Sequence, residues 1–432
     1  MINMQDFVPW FRSTAPYIKA HRGKTFVIQI SDEIIFSERF TGLVNDIALL
    51  NHLGTRLVIL HGSRSSIDRH LSSCNLTSKF HKNIRISDQD SLPIIIQAIN
   101  EVRNFLESQL SVGLPNTPMS GSEISLVSGN FVTGMPLGVI DGVDMQHSGK
   151  VRAVKDAIIN QMLDLGHVVL LSNIGYSLTG EVFNLPAEEL AVEAAQALKA
   201  DKLIFIHHDH EKHFEADTLS TIDCRQLIQQ NKVDDQMKYL LGHAIQAVEN
   251  KISRVHLINQ RIDGGLLLEL FTRDGDGIMI TDRFYEGLRQ ARIEDVAGIS
   301  QIIEPLENGG VLVARSREQL ELQIGYFYVI EKDGLIIACI ACIPDQTSKS
   351  AEIACLAVHH GYQNAGFGRQ LLSTAEQAAR QQNIRQLFTL TTTTSHWFIE
   401  QGFSETHVDT LPESKRSNYN QARRSKVFVK EI

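Results

Sequence analysis

A glycine-rich turn lies in the stretch VHHGYQNAGFGRQLL, residues 358–372. An apolar run ends at Val358, and a helical pattern begins directly after the glycines at positions 366 and 368. Glycines let the backbone approach a ligand, and the first N–H groups of a helix form a site for anions. No Lys-Ser or Lys-Thr pair follows, which excludes a P-loop. The turn is therefore predicted either to bind an anion or to be a helix start without a ligand.

A carboxylate precedes this turn on the apolar run SAEIACLAV (350–358). Strict strand alternation places Glu352 on the same side as Leu356 and Val358, and opposite Cys355. A carboxylate on an apolar strand is costly unless it is exposed or functional. Glu352 is therefore either a solvated residue at the start of a strand or part of a reactive site beside the turn.

The elements that position these residues follow two patterns. From about residue 24, helical segments such as Ala187–Ala200 alternate with short β-rich runs. The alternation predicts an α/β domain whose largely parallel sheet is sandwiched by helices. The β-rich runs are KTFVIQIS (24–31), RLVILHG (56–62), EISLVSGN (123–130), HVVLLSN (167–173), KLIFIH (202–207) and RVHLIN (254–259). Ser111–Ser122 is predicted to be a loop.

The pattern changes near residue 282, where a helix at Glu294–Asn308 is followed by a meander of strands. This arrangement predicts a mixed-sheet α+β domain. Two domains, 1–283 and 284–432, result. The strands are YFYVIEK (326–332), LIIACIACI (335–343) after an Asp333-Gly334 turn, the run at 350–358, RQLFTLTT (385–392) and KVFVKEI (426–432), with a helix from the glycine-rich turn to about Gln382.

Composition limits the function. The chain has 432 residues, 43% of them hydrophobic and 21% charged, which is typical of globular proteins. The net charge of −9 argues against nucleic acid as a partner. No apolar run is long enough to span a membrane and Met1–Asp6 does not resemble a signal peptide, so a cytoplasmic location is expected.

Two clusters could bind metal or carry redox chemistry. Cys339 and Cys342 form a C-x-x-C, but they lie inside LIIACIACI, which predicts two buried apolar thiols. HHDHEKH (207–213) holds four histidines, yet its spacing matches no common zinc finger. We expect surface histidines and no metal site.

A strand, then Gln-x-x-Gly-x-Gly, then a helix resembles the coenzyme-binding turn of the GCN5-related N-acetyltransferase family. The resemblance implies that the strand before the turn splays from its neighbour and that acetyl-CoA enters the gap. It implies that the backbone of Leu356 and Val358 binds the pantetheine amides. Gln363, Gly366 and Gly368 would bind the pyrophosphate.

Acetyl transfer to an amine needs a proton acceptor, and a donor for the departing thiolate. Glu352 is the candidate acceptor. Many acetyltransferases use a tyrosine as donor, but the corresponding region TLTTTTSHWFIEQGF (389–403) has none. Thr391 or a neighbouring hydroxyl is the candidate donor, with His396 behind it. The threonines are also typical of a plain β-branched strand.

The order of an amino-acid-kinase-like half and an acetyltransferase half resembles the bacterial N-acetylglutamate synthase family. The resemblance implies that acetyl-CoA and L-glutamate give N-acetyl-L-glutamate and CoA, in the first step of arginine biosynthesis. The strings that carry it are HRGKTFVI (21–28), VSGNFVTGMPLGVIDGVD (127–144), GEVFNLPAEELA (180–191), DGGLLLELFTRDGDG (263–277), RSREQLE (315–321), AEIACLAV (351–358), HWFIEQGF (396–403) and LPESKRSNYN (411–420).

This resemblance also implies which groups bind the acetyl acceptor, L-glutamate. Arg315 and Arg423 would grip the carboxylates of glutamate, since guanidinium groups bind carboxylates bidentately. Arg424 and Lys426 are alternatives. Cys355 falls at a position near the thioester, but nothing in the sequence promotes its thiolate. We therefore expect direct attack of the amine on the thioester.

The kinase-like half has lost residues that handle phosphate. Glycines or Thr-Asp pairs of active kinases are replaced at Ser31-Asp32, His61-Gly62-Ser63-Arg64, Asp235-Gln236-Met237-Lys238 and His207-His208. The resemblance implies instead a sensor for L-arginine. Its residues would be Tyr17 on the N-terminal helix with Glu269, Gly275 and Gly277. The family also associates through that helix, so we expect a homo-oligomer.

Three alternatives stay open. The chain could be a working kinase fused to an acetyltransferase, although the missing glycines disfavour it. It could be an arginine sensor without catalysis, which the intact Gln363/Gly366/Gly368 turn disfavours. The acceptor could also be a polyamine or a protein lysine, although the arginines near the acceptor would repel such cations.

Overall fold

A computed structural model describes residues 4–111, 124–207, 218–259, 262–272, 275–281, 287–332, 335–345, 348–363, 366–417, 419–421 and 423–432. The predicted loop at 112–122, the histidines at 208–213 and the Asp333-Gly334 turn lie outside these ranges. The chain packs as two compact units, Met1–Phe284 and Tyr285–Ile432, so the division falls one residue after the expected one. No helix among the described residues is both long and apolar enough to cross a membrane.

The first unit is built from helices and strands that alternate along the chain. Its helices are α1 Met4–His21, α2 Asp32–Ile35, α3 Phe40–His52, α4 Arg64–Ser73, α5 Leu92–Ser111, α6 Asp156–Asp164, α7 Ala187–Ala197, α8 Thr221–Gln229, α9 Asp235–Glu249 and α10 Gly265–Phe271. Its strands are β1 Thr25–Ile30, β2 Arg56–His61, β3 Lys79–His81, β4 Ile84–Ile86, β5 Leu126–Ser128, β6 Val132–Pro136, β7 Val139–Ile140, β8 Val143–Asp144, β9 Gly149–Val154, β10 Val168–Leu171, β11 Ile174–Tyr176, β12 Val182–Asn184, β13 Lys202–His207, β14 Thr218–Leu219, β15 Arg254–Asn259 and β16 Ile278–Ile280.

The main sheet of this unit has the order β14-β16-β15-β13-β1-β2-β10-β5 within the described residues. From β15 to β5 every neighbouring pair is parallel, and these are the six strands predicted from the sequence. The predicted fold is therefore confirmed. The added strand β16 pairs antiparallel with β15.

Both faces of this sheet are covered, because its central strands are apolar on both sides. Val27, Leu203 and Phe205 pack in a core on one face, together with α7 and α9 residues. Phe26 and Ile204 pack in a second core on the other face, together with residues of α1, α3 and α10. Alternate residues of one strand thus serve two cores.

A second sheet, β12-β11-β6-β9, lies in the same unit and was not predicted. Its strands are short, and those with the sequences VTGMP and IGY contain glycine or proline. Such segments carry turn signals rather than the β-branched runs that identify a strand.

The second unit is a curved mixed sheet with helices on both faces. Its elements are β17 Leu288–Gln290, α11 Val296–Asn308, α12 Arg317–Gln323, β18 Phe327–Lys332, β19 Leu335–Pro344, β20 Ser350–Val358, α13 Phe367–Gln381, β21 Gln386–Thr391, α14 Ser395–Glu400, β22 Ser404–Thr406, α15 Glu413–Arg416 and β23 Lys426–Glu431. The sheet order is β17-β18-β19-β20-β21-β23-β22. All five predicted strands and both predicted helices are present, while the short α12, α14 and α15 were missed.

Helices α11 and α13 cover opposite faces of this sheet. Ile299 and Ile303 of α11 pack on Cys339 and Ala341 of β19. On the other face, Leu371 and Ala375 of α13 pack on Ile340 and Ile353. These two faces are called the α11 face and the α13 face below.

The strict alternation expected along β20 is wrong. Between Ala354 and Ala357 the register with β19 shifts, and Cys355 has a φ of 48°, in the left-handed region. Two consecutive residues, Ala354 and Cys355, therefore lie on the α11 face, whereas Leu356 packs on the α13 face. This β-bulge re-aims the side chains that follow it. Leu356 and Val358 consequently do not share a face with Ala354.

Candidate active site and candidate effector site

A cleft of about 760 Å³ opens between β20 and β21. Its walls are formed by α11 and the loop after it, by β20, by the start of α13, and by the end of β21 with α14. The structure brings to this one cleft the predicted cofactor residues Cys355, Leu356, Val358, Gln363, Gly366 and Gly368, together with the candidate proton donor Thr391.

The cleft exists because β20 and β21 separate. They pair in parallel from Ser350 with Gln386 to Glu352 with Phe388, and beyond this point the two strands no longer pair with each other. The separated strand edges leave backbone N–H and C=O groups that can bind the amides of an extended molecule. The splay that the family resemblance implied is therefore present.

The cleft passes from one face of the sheet to the other. Leu306 and Val311 line it on the α11 face, whereas Phe367 and Trp397 line it beside α13 and α14. A long ligand bound at α13 can thus reach through the sheet and present its reactive end on the α11 face. Arg315, a candidate for binding the acetyl acceptor, contacts Cys355 on that face.

The turn before α13 has the geometry of an anion site. Gly366 is the N-cap of α13 and has a φ of 81°, which only glycine adopts readily. The N–H groups of the first turn have no partner within the helix, so they are available to a bound anion. Arg369 in the same turn also lines the cleft. Sequence reasoning missed Arg369, although a cation one residue after Gly368 was a readable signal for a phosphate partner.

Arg315 reaches the cleft wall from the loop between α11 and α12. Its Nη1 donates a hydrogen bond to Cys355 Sγ over 2.6 Å, and its backbone N–H donates to Glu307 Oε1 over 3.0 Å. The guanidinium therefore lies on the α11 face, directly beside the bulge. The structure thus brings Arg315 next to Cys355, a contact that the sequence did not predict, while substrate binding by Arg315 stays a prediction.

Cys355 is a thiol rather than a thiolate at neutral pH. Burial raises the pKa of Cys355 to about 11, and the neighbouring Arg315 charge offsets this effect only in part. A nucleophilic cysteine needs the opposite shift. The geometry thus supports direct attack of an amine on the thioester.

Glu352 lies where β20 and β21 begin to separate, and it is 8% exposed. Lys415 of α15 approaches it, with Nζ 2.5 Å from Oε2. At this distance the ammonium and the carboxylate form a close ion pair, in which the Glu352 side chain is 11% exposed and the Lys415 side chain 41% exposed. The alternative of a solvated strand-start glutamate is wrong, because the side chain is buried. Lys415 was missed, since its sequence neighbours carry no signal that connects it to Glu352.

Thr391 ends β21 and is buried at the cleft. Its Oγ1 lies 2.7 Å from Thr394 Oγ1 and accepts hydrogen bonds from the N–H groups of Thr393 and Thr394. Donors aimed at an oxygen stabilise its deprotonated form. The arrangement therefore suits a hydroxyl that gives up its proton, although its role as donor stays a prediction. Trp397 and Phe398 line the cleft near it, while His396 does not.

Arg423 contacts the same loop as Arg315. Its Nη2 donates to the carbonyl oxygens of Gly310 and Val311, over 3.1 and 2.6 Å. Its Nε is a buried donor without a hydrogen-bond partner among the described residues. Because Val311 lines the cleft, Arg423 is held at the edge of the α11 side with one donor still available. That donor suits a carboxylate.

In the first unit, Glu269 is enclosed by the loop that follows α10. Its Oε2 accepts hydrogen bonds from the N–H groups of Asp276 and Gly277, over 3.0 and 2.8 Å. A Cβ at Gly275 would lie 2.4 Å from this oxygen, and the φ of Gly275 is 64°. Glycine is therefore required for the loop to close on the carboxylate. The structure brings Glu269, Gly275 and Gly277 together.

Two further residues complete this carboxylate site and were missed. His256 Nδ1 donates to Glu269 Oε1 over 2.6 Å, and Lys202 Nζ donates to His256 Nε2 over 3.2 Å. Burial, and then the Lys202 charge, lower the pKa of His256 to about 4, so the ring is neutral. Burial raises the pKa of Glu269, but the His256 and backbone hydrogen bonds outweigh it and leave that pKa below its usual value. Glu269 is therefore a fixed carboxylate.

Tyr17 is buried on α1, in the core that also contains Leu270 of α10. His21, one turn further along α1, contacts the Leu270 carbonyl oxygen through Nε2 over 2.7 Å. Helix α1 is thus attached to α10 next to Glu269. The structure places Tyr17 in the same neighbourhood as the other three candidate effector residues.

Two expectations from composition concern metals and thiols. Within the described ranges, no three His, Cys, Asp or Glu side chains are grouped as metal ligands. Cys339 and Cys342 are free buried thiols of β19, and burial raises the pKa of both. The C-x-x-C is therefore part of a core, as predicted.

An acetyltransferase sheet with a splayed cleft, joined to an amino-acid-kinase-like unit, defines the class of this protein. Residues 24–259 match the amino acid kinase family, and residues 297–403 match the acetyltransferase (GNAT) family. An amino-acid acetyltransferase from Azotobacter vinelandii is 44% identical over 436 residues, which cover 99% of this chain and 100% of that protein. One from Escherichia coli strain K12 is 42% identical over 436 residues, with 99% and 98% covered. The chain belongs to the amino-acid acetyltransferase family.

Solved structures agree with this assignment. N-acetylglutamate synthase from Neisseria gonorrhoeae, complexed with coenzyme A and L-arginine, is 35% identical, with a TM-score of 0.87 and 99% of both chains covered. The same enzyme complexed with coenzyme A and N-acetyl-glutamate is 36% identical, with a TM-score of 0.63 and 99% of both chains covered. The recognised family and the predicted fold are confirmed.

Proposed function

We propose that this enzyme transfers the acetyl group of acetyl-CoA to the amine of L-glutamate, giving N-acetyl-L-glutamate and CoA in the first step of arginine biosynthesis. The observation that carries the proposal is the cleft between β20 and β21, which runs from the turn before α13 to the point where the two strands separate, and is lined there by Ile353, the residue after the buried Glu352. The Neisseria enzyme, solved with coenzyme A and with N-acetyl-glutamate, supports this choice of ligands.

The residues act in order along the cleft. Gly366, Gly368 and the first turn of α13 hold the pyrophosphate, and the free edge of β20 holds the pantetheine arm. Arg315 and Arg423 bind the carboxylates of glutamate on the α11 face. Glu352 accepts a proton from the amine, directly or through water. The amine attacks the thioester carbon, and the C–S bond breaks.

The departing thiolate then needs a proton. Thr391 supplies it, since its hydroxyl lies in the cleft and two backbone N–H groups stabilise its oxygen. The thiol of Cys355 stays protonated throughout and forms no acyl intermediate. No metal is required for these steps.

We also propose that L-arginine regulates the reaction from the first unit. The Neisseria structure with L-arginine supports this role, and so does the fixed carboxylate of Glu269, which suits a guanidinium. Tyr17 forms a wall of the same site.

Assembly into a homo-oligomer through α1 is a further part of the proposal. The exposed apolar side chains of Val8 and Phe11 support it. Light scattering of the pure protein tests the oligomeric state. We place the enzyme in the cytoplasm.

A working kinase is disfavoured by one contact. Asp32 replaces a family glycine. Its carboxylate accepts hydrogen bonds from the backbone N–H groups of Ser65 and Ser66, over 3.4 and 2.7 Å. Both N–H groups belong to the first turn of α4, where a phosphate would otherwise bind. A carboxylate at this position both occupies the donors and repels phosphate.

Release of CoA thiol from acetyl-CoA tests the proposal directly. A chromogenic disulfide reagent is added with L-glutamate or with other amines, each with and without L-arginine. We expect release that depends on glutamate and changes with arginine. Release unaffected by arginine would keep the enzyme and remove the sensor, whereas no release with glutamate would show that the acceptor or the catalytic role is wrong.

A further inference from the structure

The contact between Lys415 and Glu352 carries a consequence for acceptor choice. Glu352 is buried, and the ammonium of Lys415 lies 2.5 Å from its Oε2. A buried carboxylate needs a compensating charge. Lys415 supplies that charge.

An amine that reaches Glu352 competes with Lys415 for this carboxylate. An ammonium that approaches Oε2, which lies 2.5 Å from Lys415 Nζ, repels Lys415, so Lys415 withdraws when the acceptor's ammonium arrives. The Lys415 side chain is 41% exposed and has several rotatable bonds, which allow this movement. The backbone of α15 is meanwhile held by the hydrogen bond from Ser414 Oγ to Asp345 Oδ1, over 2.6 Å.

The withdrawn ammonium then needs an anion within reach. In an α-amino acid the α-carboxylate is attached to the carbon that carries the amine, so it arrives beside Glu352 together with the amine. An amine without an α-carboxylate would break the Lys415–Glu352 pair and leave Lys415 uncompensated. Only an amino acid replaces one ion pair with two.

We propose that Lys415 is a specificity-determining residue, which pairs with Glu352 while the acceptor is absent and binds the acceptor's α-carboxylate when the amine displaces it. The inference rests on the proposed function, with Glu352 as the proton acceptor. It explains how the site selects amino acids against simple amines. Of the two carboxylates assigned above to Arg315 and Arg423, the α-carboxylate is thus bound by Lys415, and the distal carboxylate stays with the two arginines.

The test compares L-glutamate with 4-aminobutyrate, which is glutamate without its α-carboxylate. The full-length Lys415→Met and Lys415→Arg variants are assayed for CoA release with glutamate, which gives the KM for glutamate. 4-Aminobutyrate is then added as a competitor of glutamate. Its Ki is obtained in this way even if 4-aminobutyrate is not acetylated. We expect Lys415→Met to raise the KM for glutamate about tenfold or more without weakening the Ki of 4-aminobutyrate. Lys415→Arg should keep most of the discrimination.

Lys24→Met is the matched control, because Lys24 also forms a lysine–carboxylate pair, 3.1 Å from Asp201, but lies in the other unit. It should change neither constant. Equal losses for glutamate and 4-aminobutyrate in Lys415→Met would overturn the proposal and leave Lys415 a mere support of Glu352. An unchanged KM for glutamate would overturn it as well.

Failure of the proposed function gives a different result. Glu352→Gln should lose turnover with glutamate whatever the role of Lys415. If Glu352→Gln stays active, the assignment of the proton acceptor is wrong, and the acceptor specificity must be explained by other residues.

Discussion

Cys355 shows why contact with a cation does not make a nucleophile. Arg315 donates to its sulfur, yet burial keeps the pKa of the thiol at about 11. The sulfur is only a weak hydrogen-bond acceptor for the guanidinium. Arg315 can therefore replace this hydrogen bond with a stronger one to a carboxylate. At the scale of single residues, the site is thus prepared for an anionic acceptor rather than for acylation of the enzyme.

Cys355→Ala tests this interpretation. We expect kcat to fall by less than about tenfold, because removal of a true covalent nucleophile costs several orders of magnitude. The rate of the wild-type enzyme should also show no ionisation of the Cys355 thiol between pH 6 and 9, since the pKa of about 11 lies above that range. Steady-state kinetics and the mass of the enzyme after incubation with acetyl-CoA measure both effects.

The matched control for this prediction is Cys342→Ala. Cys342 is also a buried thiol whose pKa burial raises to about 11, but it packs under α13 and does not line the cleft. Both variants should therefore lose similar stability. Loss of nearly all activity in Cys355→Ala alone, with an acetylated thiol in the wild type, would contradict direct transfer.

Single functional residues were predictable from the sequence where they belong to a short motif. They were not predictable where their role depends on a partner that is distant in the sequence. Gln363, Gly366 and Gly368 stand in a short pattern whose physical reason is local. Lys415 and His256 act through side chains brought close by the fold, and no spacing in the sequence connects them to Glu352 or Glu269. Pairs of this kind follow only from tertiary structure.

At the scale of elements, the start of α13 joins local conformation to ligand binding. Gly366 at its N-cap has a φ of 81°, and Gly402, just after α14, has a φ of 86°. An alanine at either position would be strained by about 1 kcal/mol or more. The two positions differ because Gly366 lines the cleft and Gly402 does not.

Gly366→Ala and Gly402→Ala therefore form a matched pair. We expect both to lower the free energy of unfolding by similar amounts, and only Gly366→Ala to raise the KM for acetyl-CoA, by about tenfold, because the turn can no longer present its N–H groups to the pyrophosphate. Denaturant unfolding and steady-state kinetics give the two quantities. An equal rise in KM for both variants would show that general destabilisation, rather than the turn, governs coenzyme affinity.

The order of the elements was readable, but their local irregularities were not. Six parallel strands and the five-strand meander followed from apolar runs of the right length. The bulge at Cys355 did not, because a left-handed residue that is not glycine leaves no mark in the sequence. This one residue changes which side chains of β20 lie on the α11 face. The part of the strand nearest the chemistry was therefore the least predictable.

At the scale of the whole molecule, one chain combines a unit that holds two buried carboxylates with a unit that contains a cleft. Asp32 accepts N–H groups of the first turn of α4, and Glu269 is held by His256 and the loop at 275–277. The first carboxylate would repel a phosphate, whereas the second, which is rigidly held, suits a cationic ligand. Regulation by arginine requires that binding in this unit change the activity of the other.

Glu269→Gln separates the two roles. Removing the charge that faces the guanidinium should weaken the response to L-arginine about tenfold or more, because a charge-assisted hydrogen bond is lost. The rate without arginine should stay the same, since Glu269 lies outside the catalytic unit. Inhibition curves for CoA release, and calorimetric titration of arginine into the variant, measure the two effects.

The matched control is Glu249→Gln, which removes an exposed carboxylate that pairs with Arg225 in the same unit and should leave the arginine response unchanged. If Glu269→Gln binds arginine as tightly as the wild type, the effector site lies elsewhere; if it loses its activity without arginine, Glu269 supports the fold that both units need.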